Sequence, residues 1–170
     1  MSISLSQQAY LQIRDKIVRL KLAPGDVIRE DVLQAELGIG RTPIREALQR
    51  LARDQFVTVI PRRGMLVSRI DVMELSMLYE TRAILEPYAM RLAAARGKQE
   101  HWDAMAAVLA GSRRPNVSNS DLMRIDRQCH EIVWDAANNR FLTDTLDMMY
   151  AQSDRLWHLY ISDVEDMRHA

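Results

Sequence analysis

Apolar residues at Ala9, Ile13, Ile17 and Leu20 recur every three or four positions through residues 7–20. That spacing predicts an amphipathic helix with one buried stripe. Ala23-Pro24-Gly25-Asp26 breaks it, because proline lacks a backbone donor and glycine admits left-handed dihedrals. A short second helix is predicted over 29–37, ended by Gly38, with Ile39 free to pack between helices. A third runs over about 41–54, where Pro43 is tolerated because the first turn has no acceptor for its missing N–H. The period then changes. Phe56-Val57-Thr58-Val59-Ile60 is β-branched and aromatic and predicts a strand. Pro61-Arg62-Arg63-Gly64 predicts a turn, and residues 65–70 a returning strand. Three helices and a two-stranded hairpin are the plan of a winged helix-turn-helix.

From Asp71 onward the pattern is helical again. One long helix is expected over 72–96, with Leu75, Leu78, Tyr79, Arg82, Leu85, Glu86 and Ala89 along one side and a kink at Pro87. A helix over 99–109 is followed by a loop at 111–116. Ser120 or Asn119 is placed to cap a helix over 121–137. Asn138-Asn139 breaks that helix, and a last one runs from about Phe141 towards Ser162. Trp134, Trp157 and the methionines are assigned to the core. The expected fold class is mainly α. A winged helix-turn-helix over 1–70 precedes an all-α bundle over 71–170.

Composition sharpens this picture. The 170-residue chain carries no formal net charge. Residues 1–70, however, hold 12 Lys+Arg against 7 Asp+Glu, and residues 71–170 hold 11 against 16. The basic first part points to an anionic partner. A single cysteine, Cys129, excludes an internal disulfide framework and suits a reducing cytoplasm. No stretch approaches the ~18 apolar residues of a membrane span.

The basic residues have a pattern. Arg41 and Arg45 stand four apart, so they share one face of the third helix, and Gln49 continues that face. Ile44, Ala47, Leu48 and Leu51 lie opposite and belong in the core. Arginine can read guanine through O6 and N7, or clamp phosphate. Thr42 offers a hydroxyl to a phosphate oxygen, and the helix N-terminus adds a partial positive charge. Arg62 and Arg63 sit at the hairpin tip, where Gly64 allows close approach to a groove. The plain alternative is that Arg41 and Arg45 pair with Glu46 and other acids on a solvated face, and that Arg62 and Arg63 belong to an ordinary solvated turn.

Residues LAPGDVIREDVLQAELGIGRTPIREALQRLARDQFVTVIPRRGMLV resemble the winged helix of GntR-family bacterial transcription factors. LYETRAILEPYAMRLAA at 78–94 is similar to the ligand-binding FCD domain of the FadR subfamily. The resemblance implies that Arg41, Thr42 and Arg45 contact double-stranded operator DNA, with Gly64 in the wing. It implies a homodimer that responds to a small-molecule effector, and repression more often than activation. Two departures stand out: Asp31 where the family often has arginine, and Gly40 where it often has serine or threonine. An acid facing phosphate would be repulsive.

Asp126 and His130 also stand four apart, and such a pair can chelate a divalent cation such as zinc. Asp154 with His158 and Glu165 with His169 have the same spacing. The resemblance singles out the first pair, because metal-binding FCD domains carry an acid and a histidine on this helix. They complete the site from later helices, for which this sequence has no match, so the domain reads as truncated. Leu142, Leu146 and Met149 are then expected to present an uncovered apolar face. Arg82 and Glu86 allow two readings: a helix ion pair worth only ~0.3–0.5 kcal/mol, or, by the resemblance, an Arg82 turned to an effector carboxylate.

The sequence therefore predicts a cytoplasmic, sequence-specific DNA-binding regulator that senses a small molecule. The rival reading is a truncated regulator that binds DNA or dimerises without sensing. An enzyme is not expected, since no general base, nucleophile or oxyanion-stabilising group stands beside Asp126 and His130.

Overall fold

The computed structural model describes residues 3–114 and 116–160. Among the described residues the chain divides into two compact units, 3–72 with 152–159, and 73–151 with Tyr160.

In the first unit, α1 (Leu5–Val18), α2 (Glu30–Leu37) and α3 (Arg41–Arg53) surround a small antiparallel sheet. Ser4 caps α1 by accepting from Gln7 N at 3.2 Å, satisfying one of the free donors of the first turn. Gly38 ends α2 with φ +63°, a left-handed cap that glycine adopts without a Cβ clash. Ile39 then turns inward and is buried, as its place in the sequence predicts. Ile13, Ile17, Ile44, Leu48, Leu51, Phe56 and Val67 are fully buried together, and removing each such side chain from water contributes ~1.5–3 kcal/mol.

The sheet differs from the expected hairpin. Its strands are β1 (Val27–Ile28), β2 (Val57–Ile60) and β3 (Gly64–Val67), in the order β1-β3-β2. Val27 pairs with Leu66, and Val57 with Val67. A two-residue strand is too short to show periodicity and forms because β3 offers it a free edge. Leu20 has φ +56° and lies beyond the end of α1, so it does not extend that helix's stripe.

The second unit contains α4 (Val72–Arg96, from Met73), α5 (Gln99–Ser112), α6 (Asn119–Ala137) and the first part of α7 (Arg140–Tyr160). α4 has the expected bounds and stays helical through Pro87. Its inner side buries Leu75, Arg82, Ala89 and Ala93, but Tyr79 is exposed. α5 continues through Gly111, where a loop is expected from sequence. α6 starts two residues early because Ser118, not Ser120 or Asn119, is its cap. Ser118 Oγ accepts from Asp121 N at 3.1 Å while Asp121 Oδ2 accepts from Ser118 N at 3.3 Å. Asn138 ends α6 in the left-handed region.

Leu142 and Leu146 are not an uncovered face. They are buried with Ala89, Trp134 and Tyr150 in the unit's main cluster, because α4 and α6 supply the surface they need. Trp134 is core as expected, whereas Trp157 is exposed, as are Met73, Met77 and Met90.

Candidate functional site

In the first unit, the sequence makes α3 strongly two-sided. Ile44, Ala47, Leu48 and Leu51 are buried, and Arg41, Thr42, Arg45 and Gln49 are exposed on the other side. The side chains of Arg41 and Arg45 retain 66% and 51% of their exposure, so both guanidiniums reach solvent. Glu30, at the first position of α2, sits beside them. Its Oε2 accepts from Arg45 Nε at 2.8 Å and lies 3.6 Å from Arg41 Nε. The acid that answers the arginine pair is thus Glu30 from the preceding helix. No sequence spacing shows this, since it arises from how α2 and α3 cross.

Gly40 precedes α3 without a side-chain cap, which leaves first-turn N–H groups for an outside acceptor. The wing tip is shaped by two left-handed residues, Arg62 at φ +63° and Gly64 at φ +94°. Arg62 and Arg63 are both exposed there. Asp31 lies 3.4 Å from Arg29 Nη2. The Val32 N–H, and then Arg29, hold its carboxyl below the usual range, so it stays ionised.

In the second unit, polar residues gather around Tyr150. Its hydroxyl donates to Asp126 Oδ2 at 2.6 Å. Its ring centroid lies 5.0 Å from that of His130 and 5.9 Å from that of Trp134. The Arg82 and Arg127 guanidiniums lie 5.3 and 4.9 Å from its centroid. Arg82 is buried and its Nε donates to Glu86 Oε1 at 2.7 Å. His130 Nδ1 is 3.0 Å from the Asp126 carbonyl oxygen and 3.6 Å from Asp126 Oδ2, while Nε2 faces Glu86 Oε1 at 3.8 Å. Arg127 pairs with Glu131 and Asp147. Beside it opens a cavity of about 500 Å³ lined by Trp134, Asn139, Thr143 and Asp147 among others. The sequence singles out Arg82, Glu86, Asp126 and His130. It gives no sign of Tyr150 or Arg127, which join them only through the packing of α6 against α7.

These residues do not form a metal site by themselves. Among the described residues no group of three or more His, Cys, Asp or Glu is placed to hold an ion. Asp126 already accepts from Tyr150, and Glu86 is committed to Arg82. Asp154 and His158 form an ordinary helix pair at 3.3 Å. Glu165 and His169 lie outside the described residues.

Residues 5–67 match the family model for bacterial regulatory proteins of the gntR family, and residues 77–170 match the FCD domain. The chain belongs to the GntR family. Among relatives, it is 32% identical over 124 residues to the Nta operon transcriptional regulator of Aminobacter aminovorans, covering 72% of this chain and 59% of that protein. It is 25% identical over 143 residues to the uncharacterized HTH-type transcriptional regulator YdhC of Bacillus subtilis, covering 82% and 64%. The chain thus spans less than two thirds of the length of either relative. The solved structure of E. coli McbR/YncC has the same fold, with a TM-score of 0.83 at 19% identity over 96% of this chain and 78% of that one. The named relatives are transcriptional regulators rather than enzymes, and no described helix is long and apolar enough to cross a membrane.

Proposed function

We propose that this protein is a sequence-specific transcriptional regulator, acting in the cytoplasm, that binds operator DNA as a homodimer. One observation carries the reading. Arg41 and Arg45 stand exposed on the first turns of a helix whose other face buries Ile44, Ala47, Leu48 and Leu51. A recognition helix needs that arrangement, because its N-terminal residues must reach base edges while its back fixes it to the domain. In this reading Arg45 and Arg41 read guanine or clamp phosphate, Thr42 and Gln49 add polar contacts, and Arg62, Arg63 and Gly64 bring the wing to the backbone. The winged helix spans residues 1–70, and residues 71–170 form the dimerising, effector-binding part. One winged helix offers few contacts, so a two-fold dimer on a palindromic site supplies the affinity. A dimer seated across a promoter excludes polymerase, which makes repression the expected sense.

The effector reading places a small carboxylate against Arg82, whose guanidinium is buried and therefore strong towards anions. The ligand has to compete with Glu86 for it. An effector that binds one state of the dimer more tightly shifts the population competent for DNA.

The test is a gel shift at several salt concentrations with the gene's own upstream region. Arg45→Ala is expected to lose ~1–3 kcal/mol of specific binding. Equal affinity for the two proteins would remove α3 from the interface.

A further inference from the structure

Residues 152–159 of α7 belong to the first unit. Two of their side chains hold backbone groups far away in the chain. Gln152 Nε2 donates to the Asp54 carbonyl oxygen at 2.8 Å, and Arg155 Nη2 to the Ser68 carbonyl oxygen at 2.7 Å. Asp54 is the C-cap of α3, and Ser68 follows the last residue of β3. Gln152 Oε1 in turn accepts from Arg155 Nη1 at 3.2 Å. The two side chains therefore form one bridge from the end of α3 to the base of the β2–β3 hairpin. Both anchor points are held from elsewhere as well. The Tyr10 hydroxyl donates to Asp54 Oδ2 at 2.7 Å, and the Ser68 amide donates to the Phe56 carbonyl oxygen at 3.0 Å. Arg155 is fully buried, with its Nε unpartnered among the described residues. An apolar side chain of the same volume would avoid that desolvation cost. What it would lack is direction, since a guanidinium sets its donors in a rigid plane.

We propose that Gln152 and Arg155 are positioning residues for operator binding. They fix the spacing between α3 and the hairpin, so that Arg41 and Arg45 meet the duplex together with Arg62 and Arg63. The proposal rests on the reading of α3 and the hairpin as the DNA contacts. Neither Gln152 nor Arg155 touches DNA in it. α3 has 13 residues and is ~20 Å long. A helix of that length moves as a rod, so a shift at Asp54 is carried to Arg41 at its other end. The paired strands β2 and β3 carry a shift at Ser68 to the tip in the same way. Contacts to base edges are lost when a side chain is displaced by about an ångström, whereas attraction to the phosphate backbone is not. The bridge is therefore expected to govern discrimination between sequences rather than affinity for DNA as such. It also extends the DNA-binding unit past residue 70 to a segment of the last described helix.

Fluorescence anisotropy of the full chain tests this, with circular dichroism as the folding control. Binding is measured to the gene's own upstream region and to a random duplex of equal length, each over a range of salt. Arg155→Met and Gln152→Met should each lose about 10-fold in affinity for the upstream region. Their binding to the random duplex, and its slope against salt, should stay at the wild-type values, because no cation facing phosphate has been removed. Since the two side chains form one bridge, the double variant should lose little more than either single one. A role in packing alone would leave the ratio of specific to random binding unchanged, and that result in both variants overturns the proposal. Gln152 is only half-buried, so Gln152→Met stays folded and its ratio decides the matter even if Arg155→Met loses helicity. Arg45→Ala is run beside them. If it loses the upstream region while both Met variants keep the wild-type ratio, the positioning role falls and the DNA reading stands. If Arg45→Ala binds as tightly as wild type, the reading of α3 fails and takes the positioning role with it.

Discussion

Arg45 donates its Nε–H to Glu30 at 2.8 Å, across the gap between α3 and α2. The pair is half exposed on the arginine side, so it contributes only ~0–1 kcal/mol to folding. Its larger effect falls on DNA binding. A guanidinium moving to guanine or phosphate must leave the carboxylate, and that carboxylate then faces a polyanion. Glu30→Gln keeps the shape and removes the charge. We expect it to tighten operator binding about 3- to 10-fold, measured by fluorescence anisotropy at fixed salt. Weaker binding would mean instead that Glu30 orients the arginines for the duplex.

Tyr150 links the two halves of its cluster, with its ring in the core and its hydroxyl on Asp126. Tyr150→Phe keeps the ring. Because the Asp126 side chain is 58% exposed, water replaces the lost bond, and the cost should be only ~0.5–1.5 kcal/mol by denaturant unfolding. Tyr150→Ala empties a buried site and should cost ~3–5 kcal/mol. Similar losses from both would make the hydrogen bond, not the ring, the dominant contribution.

The sequence made the α3 face readable because Ile44, Ala47, Leu48 and Leu51 repeat at the helical period with little to obscure it. α4 was readable to its end residues although apolar side chains such as Met73, Met77 and Ile84 also stand exposed on it, because the run from Val72 to Arg96 is long and holds no glycine. What escaped were relations made only in three dimensions. β1 exists because β3 has a free edge. Glu30 meets Arg45 across 15 residues of chain. Leu142 and Leu146 are covered by helices that the periodicity of α7 cannot reveal. Gly111 stays helical, although glycine in a loop-like run ordinarily predicts a break, because α5 packs against α6 there and Ile125 approaches it. Met77 and Trp157 show that an apolar identity alone does not place a residue in the core.

His158 gives the first unit a pH-dependent increment of stability. Its Nδ1 lies 3.3 Å from Asp154 Oδ1. That hydrogen bond raises the imidazole above its ordinary value of 6.5, against the opposing effect of burial. A histidine raised on folding binds its proton more tightly in the folded state. Its contribution is therefore complete below about pH 6.5 and is lost as pH rises through the raised value. His158→Gln should reduce stability in mildly acidic buffer and leave it nearly unchanged in mildly alkaline buffer. A pH-independent difference between the two proteins would exclude the ion pair as its source.

Arg155 is 1% exposed, and among the described residues it has no carboxylate within ion-pair distance. Nη2 donates to the Ser68 carbonyl oxygen at 2.7 Å and Nη1 to Gln152 Oε1 at 3.2 Å, while Nε has no partner among the described residues. Burial pushes the guanidinium down to about 10, still charged at neutral pH. The site therefore carries an uncompensated desolvation cost, offset by two hydrogen bonds and by the packing of the side chain beside Phe56. Arg155→Met retains most of the bulk and removes the charge, so stability should change by no more than ~1–2 kcal/mol in either direction. Arg155→Ala loses the bulk as well and should cost ~2–5 kcal/mol. Chemical unfolding of the three proteins decides the matter. If Met is as damaging as Ala, the hydrogen bond to Ser68, rather than the filled volume, is what this arginine supplies.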